Sequence, residues 1–209
     1  MSYRIDPSLP LTLEIRRIAT EELESALGHL ATASADPDTA LHDCRKRLKG
    51  VRALIRLIRS GSPEFARAEN ARCQEAAARL AAPREAAALV ETLDRLAEEY
   101  PRQAGGGTLD PIRDELLARH ASVLDQDLRK SVDTAAAACR TVLGRFESLD
   151  LPDQPEAAAD ILEAGVRKTM QRARKALRHA KERGDPGDFH DLRKAAKAHT
   201  RHLALLKKA

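Results

Sequence analysis

The chain of 209 residues has few aromatic side chains, few cysteines and no long hydrophobic run. It contains no Trp, and aromatic residues make up 2% of the sequence. The three cysteines are far apart and form no C-x-x-C pair, which excludes a disulfide framework and a zinc site of recognisable spacing and favours a reducing cytoplasm. No run of 18 apolar residues is present and the N-terminus lacks a secretory layout, so we expect no membrane partner.

The abundant residues are Ala, Leu, Arg, Glu and Lys, which are strong helix formers and predict an all-α protein. Proline, glycine and Asp-Pro signals predict helices over 9–32, 37–60, 64–81, 84–99, 110–147, 155–183 and 186–208. The stretch 100–111, with its glycine triplet, predicts a flexible loop, and 148–156 predicts a hinge. We therefore expect a first helical bundle with a long connecting helix at 1–147 and a second helical repeat at 148–209.

One pattern, His-Asp-x-Arg-Lys-x-x-Lys, occurs twice in the chain. Residues 41–49 are LHDCRKRLK, and residues 189–197 are FHDLRKAAK. An Asp-Pro pair precedes each copy, which is typical of a helix N-cap followed by Pro at the first helical position. Because the repeat preserves a histidine and cations rather than a hydrophobic spacing, it indicates a duplicated functional surface.

The cations of both copies fall on one side of their helices at 100° per residue. In the first copy they are His42, Arg45, Lys49, Arg52, Arg56 and Arg59. In the second copy they are His190, Arg193, Lys197, Arg201 and Lys208. The preceding helix adds a third stripe of Arg167, Gln171, Arg174, Arg178 and Lys181. We expect these three stripes to border one groove.

Charge is distributed unevenly, which favours an anionic partner. Residues 167–209 hold 14 Lys and Arg against 4 Asp and Glu, a net +10, and the remaining 22 and 28 leave the first 166 residues at −6. An ordinary exposed helix face mixes both signs, whereas the stripes place like charges three and four residues apart, where they repel. Such repulsion indicates a negative ligand.

The anion that fits these stripes best is inorganic polyphosphate. Single-strand nucleic-acid binding generally uses stacking aromatics, and Phe189 is the one aromatic residue near the stripes. Arg, Lys and His supply donors to phosphate oxygens without reading bases. We expect non-catalytic binding, strengthened below about pH 6.5 by protonation of His42 and His190, with non-specific RNA or DNA binding as the alternative.

Enzymatic alternatives are weaker. Metal-dependent phosphohydrolases of the HD type bind a divalent metal through a His-Asp pair, and this chain has two such pairs. Here Arg and Lys follow each pair by one turn and would oppose a bound cation. A phosphotransfer histidine is a further alternative, which the duplication disfavours. The sequence has no Gly-rich phosphate loop, nucleotide fingerprint or Ser-His-Asp order, so we expect no catalytic residue, no metal and no cofactor.

LHDCRKRLKGVRALIRLI and DFHDLRKAAKAHTRHLALLKK resemble the two signature helices of the CHAD family, the conserved-histidine α-helical domain, and the similarity covers nearly the whole chain. The resemblance implies one CHAD domain made of two pseudo-symmetric antiparallel helical bundles, a basic central groove, and polyphosphate binding, often on polyphosphate granules. The ligands that it implies are His42, Arg45, Lys49 and Arg52 in the first copy, and His190, Arg193, Lys194 and Lys197 in the second.

Members of this family usually continue with another helix pair after the second signature. We therefore expect a shortened member or a fragment, with an incomplete second bundle. The apolar side of the last helix, with Leu203 and Leu206, then needs a cover. We expect that cover to be helix 110–147 or a second copy of the chain, which would make a homodimer.

Overall fold

The computed structural model describes residues 3–104, 107–152 and 154–207. Over these residues the chain forms eight helices and no strand, which confirms the predicted all-α class. The helices are α1 (Leu11–Ala31), α2 (Pro37–Leu57), α3 (Pro63–Arg79), α4 (Ala81–Glu99), α5 (Pro101–Ala104), α6 (Asp110–Glu147), α7 (Pro155–Arg183) and α8 (Pro186–Leu205). Among the described residues, none of the helices combines the length and the hydropathy that a membrane span requires.

The two longest helices, α6 and α7, have the predicted bounds. The predictions for Pro83, for the loop 100–111 and for the end of the last helix differ from the structure or fall partly outside the described residues. Pro83 was expected between two helices but lies inside the first turn of α4, where its missing N–H does no harm. Part of the predicted flexible loop is the short helix α5, and residues 105–106 lie outside the described residues. The last helix ends at Leu205, and Lys208 also lies outside them.

The segment predicted as a hinge, 148–156, is fixed against α1 over its first half. Leu149 and Leu151 are buried. The Thr12 hydroxyl donates to the Leu151 carbonyl at 3.2 Å, and the Leu151 N–H donates to that hydroxyl oxygen at 3.0 Å. Residue Asp153, also part of the predicted hinge, lies outside the described residues. Residues 148–152 therefore act as a tie between α6 and α1.

The helices α1, α2, α3 and α6 pack around one hydrophobic core, to which Ile161 of α7 and Leu205 of α8 also contribute, and α4 packs against α6. The side of α2 that faces this core is fully buried and includes Cys44, Leu48, Val51 and Ile55. The three cysteines, Cys44, Cys73 and Cys139, are all free and buried. Burial of one side of α2 leaves its cationic side on the surface of the bundle.

The other hairpin, α7–α8, packs against α2. Gly165 on α7 lies so close to α2 that a Cβ atom there would overlap the Leu57 carbonyl oxygen. On α8, the buried His202 ring contacts the Ala53 carbonyl oxygen through Nε2 at 3.0 Å. Since α2 and α8 carry the two copies of the repeat, this packing brings the copies side by side.

The long helix α6 packs on α1, α3 and α4 rather than on α8. The prediction that it covers the apolar side of α8 is therefore wrong. Leu203 stays 51% exposed, and Leu206 is partly buried. Cover by a second copy of the chain stays a prediction.

Candidate functional site

A groove of about 1040 Å³ lies between α2 and the α7–α8 hairpin, with α3 and α4 at its edge. Ten of its lining side chains are cationic: Arg45, Lys49, Arg52, Arg56, Arg172, Lys175, Arg193, Lys194, Lys197 and Arg201. His179 and His190 also line it, together with Glu85, Asp188 and Asp191. The groove therefore has a large excess of positive charge.

The α2 wall of the groove contains two arginines held by uncharged partners. Arg45 donates through Nη1 to the carbonyl oxygen of Ala77 on α3. Arg52 donates to Asn70 Oδ1 and Gln74 Oε1, both at 3.2 Å. These hydrogen bonds fix the guanidinium groups in position without neutralising them, so the wall is preorganised for an anion.

The deepest cation of this wall is Arg56. Burial, followed by repulsion from Arg52, Arg172 and Arg201, lowers the pKa of Arg56 to about 10. Its Nε atom is buried and has no hydrogen-bond partner. Burial also lowers the pKa of Lys49, and repulsion from other groove cations adds to that effect. Arg56 remains charged at neutral pH, so its charge is held inside the groove although burial and the neighbouring arginines oppose it.

The α8 wall contains the predicted residues of the second copy. His190, Arg193, Lys197 and Arg201 all line the groove. Lys194 lines it as well and lies 3.5 Å from Asp191 one turn earlier on the same helix, as an exposed pair. The structure therefore brings the cationic stripes of both copies to the same groove.

The third wall differs from the prediction. Arg167, Arg174 and Arg178 do not line the groove; α7 contributes Thr169, Arg172, Lys175, Ala176 and His179 to it. The close approach at Gly165 sets the rotation of α7 about its axis, and it turns the predicted stripe away. Arg172, Lys175 and His179 have the same i, i+3, i+7 spacing, so a helical-face count could have found them but could not choose between the two stripes.

His42, which we expected to border the groove, does not line it. Its side chain is exposed and lies outside the groove lining. The Arg84 Nε atom donates to His42 Nδ1 at 3.1 Å, and Arg84 forms an ion pair with Glu91 at 2.9 Å. His42 thus contacts α4 beside the groove, whereas His190 lines the groove. The strengthening of binding by acid stays a prediction.

Nine of the ten groove cations have no acidic partner within the part of the chain that the structure describes. No ion pair or hydrogen bond joins these residues to an Asp or Glu: Arg45, Lys49, Arg52, Arg56, Arg172, Lys175, Arg193, Lys197 and Arg201. The same described residues contain no cluster of three or more His, Cys, Asp or Glu that could hold a metal ion. The arrangement can bind an extended anion through many donors.

Comparison with known proteins gives one family. The model of the CHAD domain matches residues 17–209, which include both copies of the repeat and the whole groove lining. No curated protein matches the chain. The match spans nearly the whole sequence, and the chain therefore belongs to the CHAD domain family.

Proposed function

We propose that the chain binds inorganic polyphosphate in the groove between α2 and the α7–α8 hairpin, without chemical conversion of the ligand. The observation that carries this proposal is the set of nine groove cations without an acidic partner in the described residues. Folding places these charges together against burial and mutual repulsion, as the lowered pKa values of Lys49 and Arg56 show. A polyanion would neutralise them and relieve the repulsion.

Polyphosphate fits the groove better than nucleic acid because the lining, over the described residues, contains no Phe, Tyr or Trp. Proteins that bind single strands generally stack bases on Phe, Tyr or Trp. Phe189, next to the second copy, is 54% exposed and does not line the groove. The described lining thus offers donors for phosphate oxygens and no Phe, Tyr or Trp ring on which a base would stack.

The two walls would act differently on such a ligand. Arg45 and Arg52 are fixed by neutral hydrogen bonds, and their forked donors suit bidentate contacts to phosphate oxygens. Lys194 and Lys197 are exposed and supply point charges that follow the chain. We also propose that this binding places the protein on polyphosphate granules in the cytoplasm, because a long polymer offers many equivalent sites.

No chemical step belongs to the proposal. A divalent metal would have to bind among ten cations, which oppose it electrostatically. Polyphosphate incubated with the protein and Mg²⁺ should therefore release no phosphate above the rate without protein. Metal-dependent release that His42→Ala abolishes would instead indicate a hydrolase.

Competition between polyphosphate and single-stranded DNA, at equal phosphate concentration and physiological salt, tests the proposal. We expect polyphosphate to displace the DNA, and the reverse order would contradict the proposal. The groove variant Lys49→Gln/Arg172→Gln/Lys197→Gln removes one cation from each of α2, α7 and α8. Hydrogen bonds to charged groups contribute about 1.5 kcal/mol or more each, so this variant should bind polyphosphate at least about 10-fold more weakly.

A matched control removes the same charge elsewhere. Arg95→Gln/Arg119→Gln/Arg129→Gln neutralises three exposed arginines on α4 and α6 that do not line the groove. This surface variant should keep the affinity for polyphosphate within about 2-fold, because distant exposed charges are screened at physiological salt. Equal losses in the groove variant and the surface variant would contradict a specific groove.

A further inference from the structure

The outer side of α7 carries a second concentration of positive charge. Residues 164–181 contain seven Lys and Arg and no Asp or Glu. Two of the seven, Arg172 and Lys175, line the groove. The other five are exposed and lie outside it: Arg167, Lys168, Arg174, Arg178 and Lys181. We call Arg167, Arg174, Arg178 and Lys181 the α7 ridge.

The ridge is continuous with the groove around the helix. With Lys175 at zero and 100° per residue, Arg172 and Lys168 lie at about +60° and +20°, on the groove side of Lys175. On the opposite side, the ridge residues lie between about −60° and −120°. Cations of residues 164–181 thus cover roughly half of the helix circumference, with Glu163 and Glu182 at the two ends of this stretch. A phosphate chain that leaves the groove past Lys175 meets the ridge directly.

The ion pairs of the ridge do not use up its charge. Arg167 pairs with Glu163, and Arg178 lies 3.9 Å from Glu182. Both acids lie at the ends of the cationic stretch, and all four side chains are more than half exposed. Exposed pairs of this kind contribute little, about 1 kcal/mol at most, so a polyanion can replace them. Arg174 has no acidic partner among the described residues.

We propose that the ridge is a second stretch of the polyanion site, so that the protein's ligand class is long-chain rather than short-chain polyphosphate. This inference rests on the proposed groove function. A chain held in the groove presents its next phosphates to the ridge at a high effective concentration, which strengthens binding without a second independent encounter. A short oligophosphate fills part of the groove and cannot reach the ridge at the same time.

The test compares tripolyphosphate with long-chain polyphosphate as probes in direct binding measurements. The ridge variant is Arg167→Gln/Arg174→Gln/Arg178→Gln, and the surface variant on α4 and α6 serves as its charge-matched control. The ridge variant should bind tripolyphosphate within about 2-fold of wild type, because screening weakens distant charges. It should bind long-chain polyphosphate at least about 10-fold more weakly, and its slope of log K against log salt should fall by about 2, at roughly 0.7 per lost phosphate contact.

Three outcomes overturn the inference. The ridge variant could bind long-chain polyphosphate as tightly as the surface variant does. It could also lose affinity for tripolyphosphate and for the long chain equally, which would indicate a general electrostatic effect of the lost charge. It could also weaken single-stranded DNA alone, which would assign the ridge to nucleic acid. Failure of the groove is a separate result: the groove variant would then leave tripolyphosphate binding unchanged.

Discussion

Replacing Arg56 by Met should make the protein more stable and should weaken its binding to polyphosphate. Arg56 lies at the inner side of the groove, with a buried Nε atom that has no hydrogen-bond partner. Met has a similar length and no charge. The substitution removes the buried charge and keeps most of the packing of the side-chain stem.

The size of the stability change follows from the electrostatics of Arg56. Its pKa is lowered to about 10, first by burial and then by neighbouring arginines. The difference from an ordinary arginine corresponds to roughly 3 kcal/mol at about 1.4 kcal/mol per pKa unit. Because Arg56 is charged at pH 7 in both the folded and the unfolded chain, this penalty is present at pH 7 and fades only above about pH 10. Solvent in the open groove reduces the gain to about 1–2 kcal/mol.

Denaturant unfolding at pH 7 without ligand measures this change, and titration with polyphosphate measures the loss of binding. We expect the free energy of unfolding to rise by about 1–2 kcal/mol and the dissociation constant to rise about 10-fold, as for one lost charge-assisted contact. Arg59→Met is the control, because Arg59 is exposed in the turn just after α2 and lies outside the groove; it should change stability by less than about 0.5 kcal/mol. A less stable Arg56→Met protein with unchanged affinity would refute the reasoning.

Two further predictions concern the contact between α2 and the α7–α8 hairpin. Gly165→Ala should lower the free energy of unfolding by about 2 kcal/mol or more and weaken polyphosphate binding, because its Cβ atom would overlap the Leu57 carbonyl oxygen. Gly144 lies in open space on α6, so Gly144→Ala should raise the free energy of unfolding by about 0.5–1 kcal/mol. Burial lowers the pKa of His202 to about 4. The free energy of unfolding should therefore fall by up to about 3 kcal/mol as the pH drops from about 6.5 to about 4. His202→Gln, measured by unfolding over the same pH range, should not show this fall. Equal stability of both glycine variants, or the same pH dependence in His202→Gln, would contradict these predictions.

Local signals were sufficient for most of the helix bounds. Pro at the start of α6 and α7 and the left-handed Gly184 at the end of α7 act within one turn, so the sequence around them predicts them well. The cationic side of α2 was predictable for a similar reason, because its opposite side is a continuous apolar stripe that has to be buried. On α2, one face alone can be the core.

The rotation of α7 and the contacts of His42 depend on packing between distant segments, which the local sequence does not reveal. Cations surround roughly half of α7, so periodicity leaves its rotation open, and the close contact between Gly165 and Leu57 fixes it. The hydrogen bond from Arg84 to His42 joins residues that are 42 positions apart and follows from how α4 lies against α2. The Asp-Pro pairs illustrate a finer limit: Asp36 caps α2 through its side chain, whereas Asp185 makes no such hydrogen bond.

A crystal structure of the chain with long-chain polyphosphate tests the central claim most directly. The account predicts phosphate groups along the groove, within hydrogen-bond distance of Arg56 on α2 and of Arg193 and Lys197 on α8. Phosphate bound on another surface, with the groove free of it, would contradict the account.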